Sequence, residues 1–222
     1  MLSQKMLELG KKSSVIREIF EYGRVRKAEI GVENVFDFSL GNPSVPAPQK
    51  VTDVMNRLIA ETPAEVLHGY TSGPGDLKVR TAIAENIKTK FQVEATPGLI
   101  YMTCGAAASL TITLNAIAEE GDEVIAFAPF FPEYRVFVEQ SGAKFVPVSC
   151  KNDDLQIDFD LLEKSITPNT KAVIINSPNN PSGVIVPEKD VIKLAALLNE
   201  KQKEYGKEIF LIYDEKIGRA HV

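Results

Sequence analysis

Short apolar, β-branched runs alternate with helix-period stretches along residues 99–214, and this alternation constrains the fold more than any other feature of the chain. A run of five to seven residues that is mainly apolar on both faces suits a strand covered on both sides. A helix between two such runs carries the chain back, so the strands pair in parallel. The runs fall at 99–103, 123–127, 144–148, 171–176 and 208–214. Helices are expected between them at 106–119, 132–140, 159–165 and 187–204, with Leu110, Leu114 and Ile117 of the first in the core. Earlier helices are expected at 49–61 and along the face formed by Leu77, Ala84, Ile87 and Phe91. The pattern predicts an α/β protein with a mostly parallel sheet flanked by helices.

Ahead of that body, residues 1–30 read as an amphipathic helix with a short charged approach, and 36–40 as a short strand. The stretch GNPSVPAP follows, in which Pro43, Pro46 and Pro48 enforce extended backbone and suggest an arm.

Composition narrows the partners. The formal net charge is −5 and no basic cluster stands out, which argues against nucleic acid. The apolar runs are far shorter than the roughly 20 residues that cross a bilayer, and the first residues carry no signal-peptide core, so no membrane partner is expected. Two cysteines, Cys104 and Cys150, do not make a disulfide framework, and a reduced cytoplasmic protein is expected. Two histidines, His68 and His221, exclude a His-rich metal centre within the chain.

Ligands of parallel α/β sheets sit beyond the carboxyl ends of the strands. After Thr103 come Gly105, Ala106 and Ala107, opening a helix. They suit a bound phosphate, or equally the packing of a helix on a sheet. After Phe127, either Phe130 or Phe131 suits the face of a flat ring, or both belong to the core. After Asn176, an asparagine held between Pro178 and Pro181 offers a donor and an acceptor with little backbone entropy left to lose, or is simply a turn residue. Asp214, following Tyr213, is an acid at the sheet mouth or a helix cap. Taken together, a phosphate cup, a ring face, an amide and a carboxylate describe a pocket for a flat, phosphorylated, basic heterocycle such as pyridoxal phosphate.

The motifs LGNPSVPAP, GYTSGPGDLKVR, TCGAAASL, APFFPEY, NSPNNPSG and IYDE, in this order and spacing, resemble the N-terminal half of a class I/II aminotransferase of the fold-type-I pyridoxal-phosphate architecture. The resemblance covers residues 38–215. It implies that Gly41 meets the substrate carboxylate and that Tyr70 reaches the coenzyme phosphate of a neighbouring subunit, hence a homodimer. It implies further that Gly105, Ala106 and Ala107 cup the phosphate and that Phe131 stacks on the pyridine. Asn180 bonds the phenolic oxygen and also lies at the substrate, and Asp214 pairs with the ring nitrogen. The implied activity is amino-group transfer from an amino acid to a 2-oxo acid, within amino acid metabolism.

The resemblance also divides the chain into an N-terminal helix and arm (1–48), a partial large cofactor-binding domain (49–215) and a tail (216–222). The family's Schiff-base lysine lies well beyond the aspartate, and Lys216 is too close to be it. A chain ending here is therefore expected to lack that lysine and the downstream basic residues, and to be inactive and poorly folded alone. KIGRAHV departs abruptly from the family and reads as a translated sequencing adapter, so residues 216–222 are expected to be non-native. A pyridoxal-phosphate carbon–sulfur lyase shares many of these residues and is the alternative enzyme reading. A ligand-sensing aminotransferase-like domain is disfavoured by the short, weakly basic N-terminus. A nucleotide-binding domain is disfavoured because GPGDLK follows no clear strand and lacks a Walker lysine.

Overall fold

The protein is described from a computed structural model over residues 4–11, 15–41 and 45–215. The chain divides into two compact units, Met1–Tyr70 and Thr71–Val222. Residues 49–70 fall within the first of these units.

The first unit holds α1 (Gln4–Lys11), α2 (Val15–Ile30), α3 (Gln49–Glu61) and α4 (Ala64–Leu67). Its best-anchored polar group is Asp37. The carboxylate accepts hydrogen bonds from Lys27 Nζ at 2.7 Å, from Ser39 N at 3.0 Å and from Ser39 Oγ at 2.6 Å. Gly23 makes room on α2, since a Cβ there would lie 3.1 Å from Asp37 Oδ2. The hydrogen bonds from Lys27, and after it Ser39, hold the Asp37 carboxyl well below the usual range. The folded-state pKa is therefore below the unfolded value, so these bonds stabilise the unit at neutral pH. That contribution is lost as pH falls below the ordinary value of 3.8 towards the folded one. Asp37→Asn is expected to lower the unit's stability at neutral pH and to flatten its acid dependence below that point, read by circular dichroism during acid titration.

The second unit opens with α5 (Leu77–Phe91), capped by Asp76, whose side chain accepts from Val79 N. On α5 only Ala84 is buried, while Leu77 and Phe91 of the expected face are exposed at 59% and 44%. Then come α6 (Ala106–Ile117), β1 (Glu123–Ala128), α7 (Glu133–Gln140), β2 (Lys144–Ser149), α8 (Phe159–Ser165), β3 (Thr170–Asn176), α9 (Glu188–Tyr205) and β4 (Phe210–Asp214). The four strands form one sheet in the order β2-β1-β3-β4, and every pairing is parallel. Successive strand residues face opposite sides, and the core divides accordingly. Val124, Ala126, Ala172 and Ile174 pack with Leu110, Leu114, Tyr134 and Val138 of α6 and α7. Ile125, Phe127, Val173 and Ile175 pack with Leu162, Leu194 and Leu198 of α8 and α9.

Two expected strands are not strands. At 36–40 the chain is irregular, and Phe36 and Phe38 are almost fully exposed. At 99–103 a 3₁₀ turn, Pro97–Leu99, leads into irregular backbone held by one bond from Met102 N to Pro74 O. Both segments are apolar enough for a strand. Neither has a ladder partner among the described residues, and pairing, not composition, makes a strand. Residues 216–222, expected to be non-native, lie outside the described residues.

Candidate active site

Because all four strands run the same way, their carboxyl ends share one edge of the sheet. There β1 ends at Ala128, β3 at Asn176 and β4 at Asp214, the last two being directly paired. The loop after β1 separates its two phenylalanines. Phe130 packs edge-on against Phe145 in the core, with ring centroids 4.8 Å apart. Phe131 meets Tyr134 edge-on, at 5.6 Å and 82°.

Tyr134, on the first turn of α7, is 2% exposed, and its hydroxyl donates to Asp214 Oδ2. Burial, and after it the hydrogen bond to the Asp214 carboxylate, pushes the phenol far above its ordinary pKa, so it stays a donor. Asp214 Oδ1 has no hydrogen bond to another described residue. Asn176, 5% exposed, uses both ends of its amide. Its Nδ2 donates to the Asp214 carbonyl at 2.7 Å, and its Oδ1 accepts from Asn180 N at 2.7 Å. The Asn180 side-chain amide makes no hydrogen bond to another described residue and is half-buried.

At the start of α6, Gly105 has a φ of 98°, and a Cβ there would meet nothing within 4 Å. No side chain caps this helix. Ala108 N and Ser109 N both bond to Gly105 O, which leaves the amides of Ala106 and Ala107 without partners among the described residues. Thr103 Oγ1 and Ser109 Oγ lie 2.6 Å apart and brace the turn. Free amides at the positive end of a helix attract an anion. A positive φ is strained for any residue with a Cβ. Gly105→Val is expected to cost about 1–3 kcal/mol of stability in a urea titration.

The structure thus links Phe131, Tyr134, Asp214, Asn176 and Asn180 in one continuous set of contacts. Leu110 and Leu114 of α6 share a core cluster with Tyr134. Gly41 and Tyr70 belong to the first unit, where both are exposed. The sequence reading missed Tyr134 and Asn176. The signals were a tyrosine inside APFFPEY and a polar residue ending an otherwise apolar strand. A cavity of about 30 Å³ borders the site, lined among others by Phe127, Phe130, Tyr134, Ile175, Asn176 and Asn179, and has room for little more than water. Among the described residues no cluster of His, Cys, Asp or Glu could hold a metal ion, and no helix is long and apolar enough to cross a membrane.

Residues 33–206 match the family model described as aminotransferase class I and II. The chain belongs to this family. It is 31% identical over 185 residues to a probable N-acetyl-LL-diaminopimelate aminotransferase of Bacillus subtilis, covering 82% of this chain and 44% of the relative. It is 31% identical over 183 residues to a probable aspartate/prephenate aminotransferase of Aquifex aeolicus, with coverages of 82% and 44%. Among solved structures, an aminotransferase from Eubacterium rectale superposes with a TM-score of 0.93 at 49% identity, over 97% of this chain and 54% of that one. The Thermus thermophilus aspartate aminotransferase with maleate superposes at 0.82 with 26% identity, over 97% and 53%. The chain therefore spans about half the length of the aminotransferases it matches. The mostly parallel sheet with flanking helices is the fold of the pyridoxal-phosphate transferases, and class I and II aminotransferases use that coenzyme. The donor set fits it: an aromatic ring and, without hydrogen-bond partners among the described residues, two amides at a helix start, a side-chain amide and one oxygen of a carboxylate.

Proposed function

We propose that this chain carries the coenzyme-gripping part of a pyridoxal-phosphate-dependent aminotransferase that moves an amino group from an amino acid to a 2-oxo acid. The observation that carries the reading is the contact set from Phe131 through Tyr134, Asp214 and Asn176 to Asn180 at one sheet edge. When bound, the coenzyme supplies an electron sink for the charge left as an amino acid loses its α-proton. The chain's residues hold and tune it. The Gly105–Ala106–Ala107 turn takes the phosphate through backbone amides. Phe131 covers a face of the ring, an aromatic contact worth about 0.5–1.5 kcal/mol beyond its area. Asn180 donates to the phenolic oxygen and borders the substrate. Asp214 stabilises a proton on the ring nitrogen, as an adjacent carboxylate does for any cationic group.

Gly41 is assigned to the substrate carboxylate. Tyr70, whose ring is fully exposed, is assigned to the coenzyme phosphate of a second copy, which makes the working form a homodimer. Two free cysteines, Cys104 and Cys150, accord with a cytoplasmic setting. The test is a fluorescence titration of the complete gene product with pyridoxal phosphate, followed by its assay with paired amino donors and 2-oxo acids. Saturable binding and amino transfer are expected. An absence of saturable binding would overturn the reading.

A further inference from the structure

We propose that Asn176 is a positioning residue whose one buried amide locks the Asn180-bearing turn to the end of β4, so that Asn180 and Asp214 are aimed together. The proposal rests on the coenzyme reading above and extends it to a residue that touches no ligand.

The β3–β4 ladder ends at the pair Asn176 and Asp214. Past it the chains part, because β3 turns away into NSPNNPSG. The next residue, Ser177, accepts at its hydroxyl oxygen from Val186 N at 3.0 Å and offers β4 nothing through that group. The Asp214 carbonyl and the Asn180 N–H would then be strand-end groups without partners in a shielded place, which folded proteins rarely tolerate. Asn176 satisfies both, each at 2.7 Å. The amide must donate towards the carbonyl and accept from the N–H, so neither an acid nor a hydrocarbon of the same shape serves. At 5% exposure, water has little access to substitute for it.

The turn is rigid in its own right. Asn179 Oδ1 accepts from Ser182 N and Ser182 Oγ at 3.1 and 2.8 Å. Asn179 N donates to Val184 O, and Gly183 N donates to Asn179 O. A braced turn needs an attachment that sets its direction, and Asn176 provides one from the strand it leaves. Asp214 receives the complementary restraint. Its main chain is held by Asn176 and its carboxylate by Tyr134. Losing Asn176 should therefore leave the turn folded and loosen its aim.

The experiment uses the complete gene product with Asn176→Leu, which removes both bonds, and Asn176→Ser, which is too short to span them but admits water and keeps a polar group. Thr170→Val is the control. Thr170 is 3% exposed at the opposite end of the same strand and accepts from Thr167 N at 2.9 Å, so its loss is structural only. The readouts are the pyridoxal-phosphate dissociation constant, the bound coenzyme's absorbance as a function of pH, and hydrogen exchange at Asn180 N–H. Both Asn176 variants are expected to bind the coenzyme roughly 10- to 100-fold more weakly, the effect of one to two buried hydrogen bonds. They should also shift its pH-dependent spectrum and speed exchange at Asn180, while Thr170→Val lowers thermal stability and moves none of these. Wild-type affinity and spectrum in Asn176→Ser would overturn the proposal, as would an equal loss in Thr170→Val. Absence of saturable binding in the unsubstituted chain would instead overturn the coenzyme reading beneath it.

Discussion

Asp214→Asn is expected to lower kcat of the complete gene product by roughly 100- to 1,000-fold, the loss seen when one preorganised electrostatic partner is removed, while the protein stays folded. Asparagine keeps an acceptor for the Tyr134 hydroxyl and leaves the main-chain bond to Asn176 untouched, so both restraints on this position survive. What disappears is the negative charge that would favour a protonated ring nitrogen. Alanine is the poorer test, because it would strand a buried phenol and add a stability cost of about 1–3 kcal/mol. Turnover assays paired with far-ultraviolet circular dichroism separate the two effects. Near-normal turnover in the asparagine variant would remove Asp214 from the role assigned to it.

Leu114→Ala is expected to have the largest effect on stability, about 2–5 kcal/mol. Leu114 is completely buried and sits with Val124, Ala126, Tyr134 and Val138 between α6 and the sheet. The loss is the transferred hydrocarbon plus the cavity left among neighbours that cannot all close in. Domains of this kind hold a margin of only about 5–15 kcal/mol, so the change is a large share of it. Ile112 on the same helix is 51% exposed, and Ile112→Ala is expected to change stability by no more than about 0.5 kcal/mol. Equilibrium urea unfolding distinguishes them. Because α6 also presents the Ala106 and Ala107 amides, the Leu114 variant should lose phosphate affinity as well.

Where a run is apolar on both faces, local sequence fixes a strand closely. The run expected at 171–176 is β3 with one residue added, and the helix expected at 159–165 is α8 without change. The segments at 36–40 and 99–103 also carry apolar residues but form no strand, because a partner strand is a property of the whole chain. The site was legible to the same extent. Asn180 stands out between prolines, and Asp214 ends a strand. Tyr134 and Asn176 do not stand out. Their work is to hold Asp214 across 80 and 38 positions of sequence, and no local pattern records an interaction of that range. Between Phe130 and Phe131 the resemblance alone chose Phe131, since both rings pack against the same core cluster.

Among the described residues β4 is bonded on one side only, to β3, whereas β3 is flanked on both. The acid assigned to the ring nitrogen leaves from the end of β4 and the amide assigned to the phenolic oxygen follows the end of β3, so a slip between these two paired strands would misplace both contacts at once.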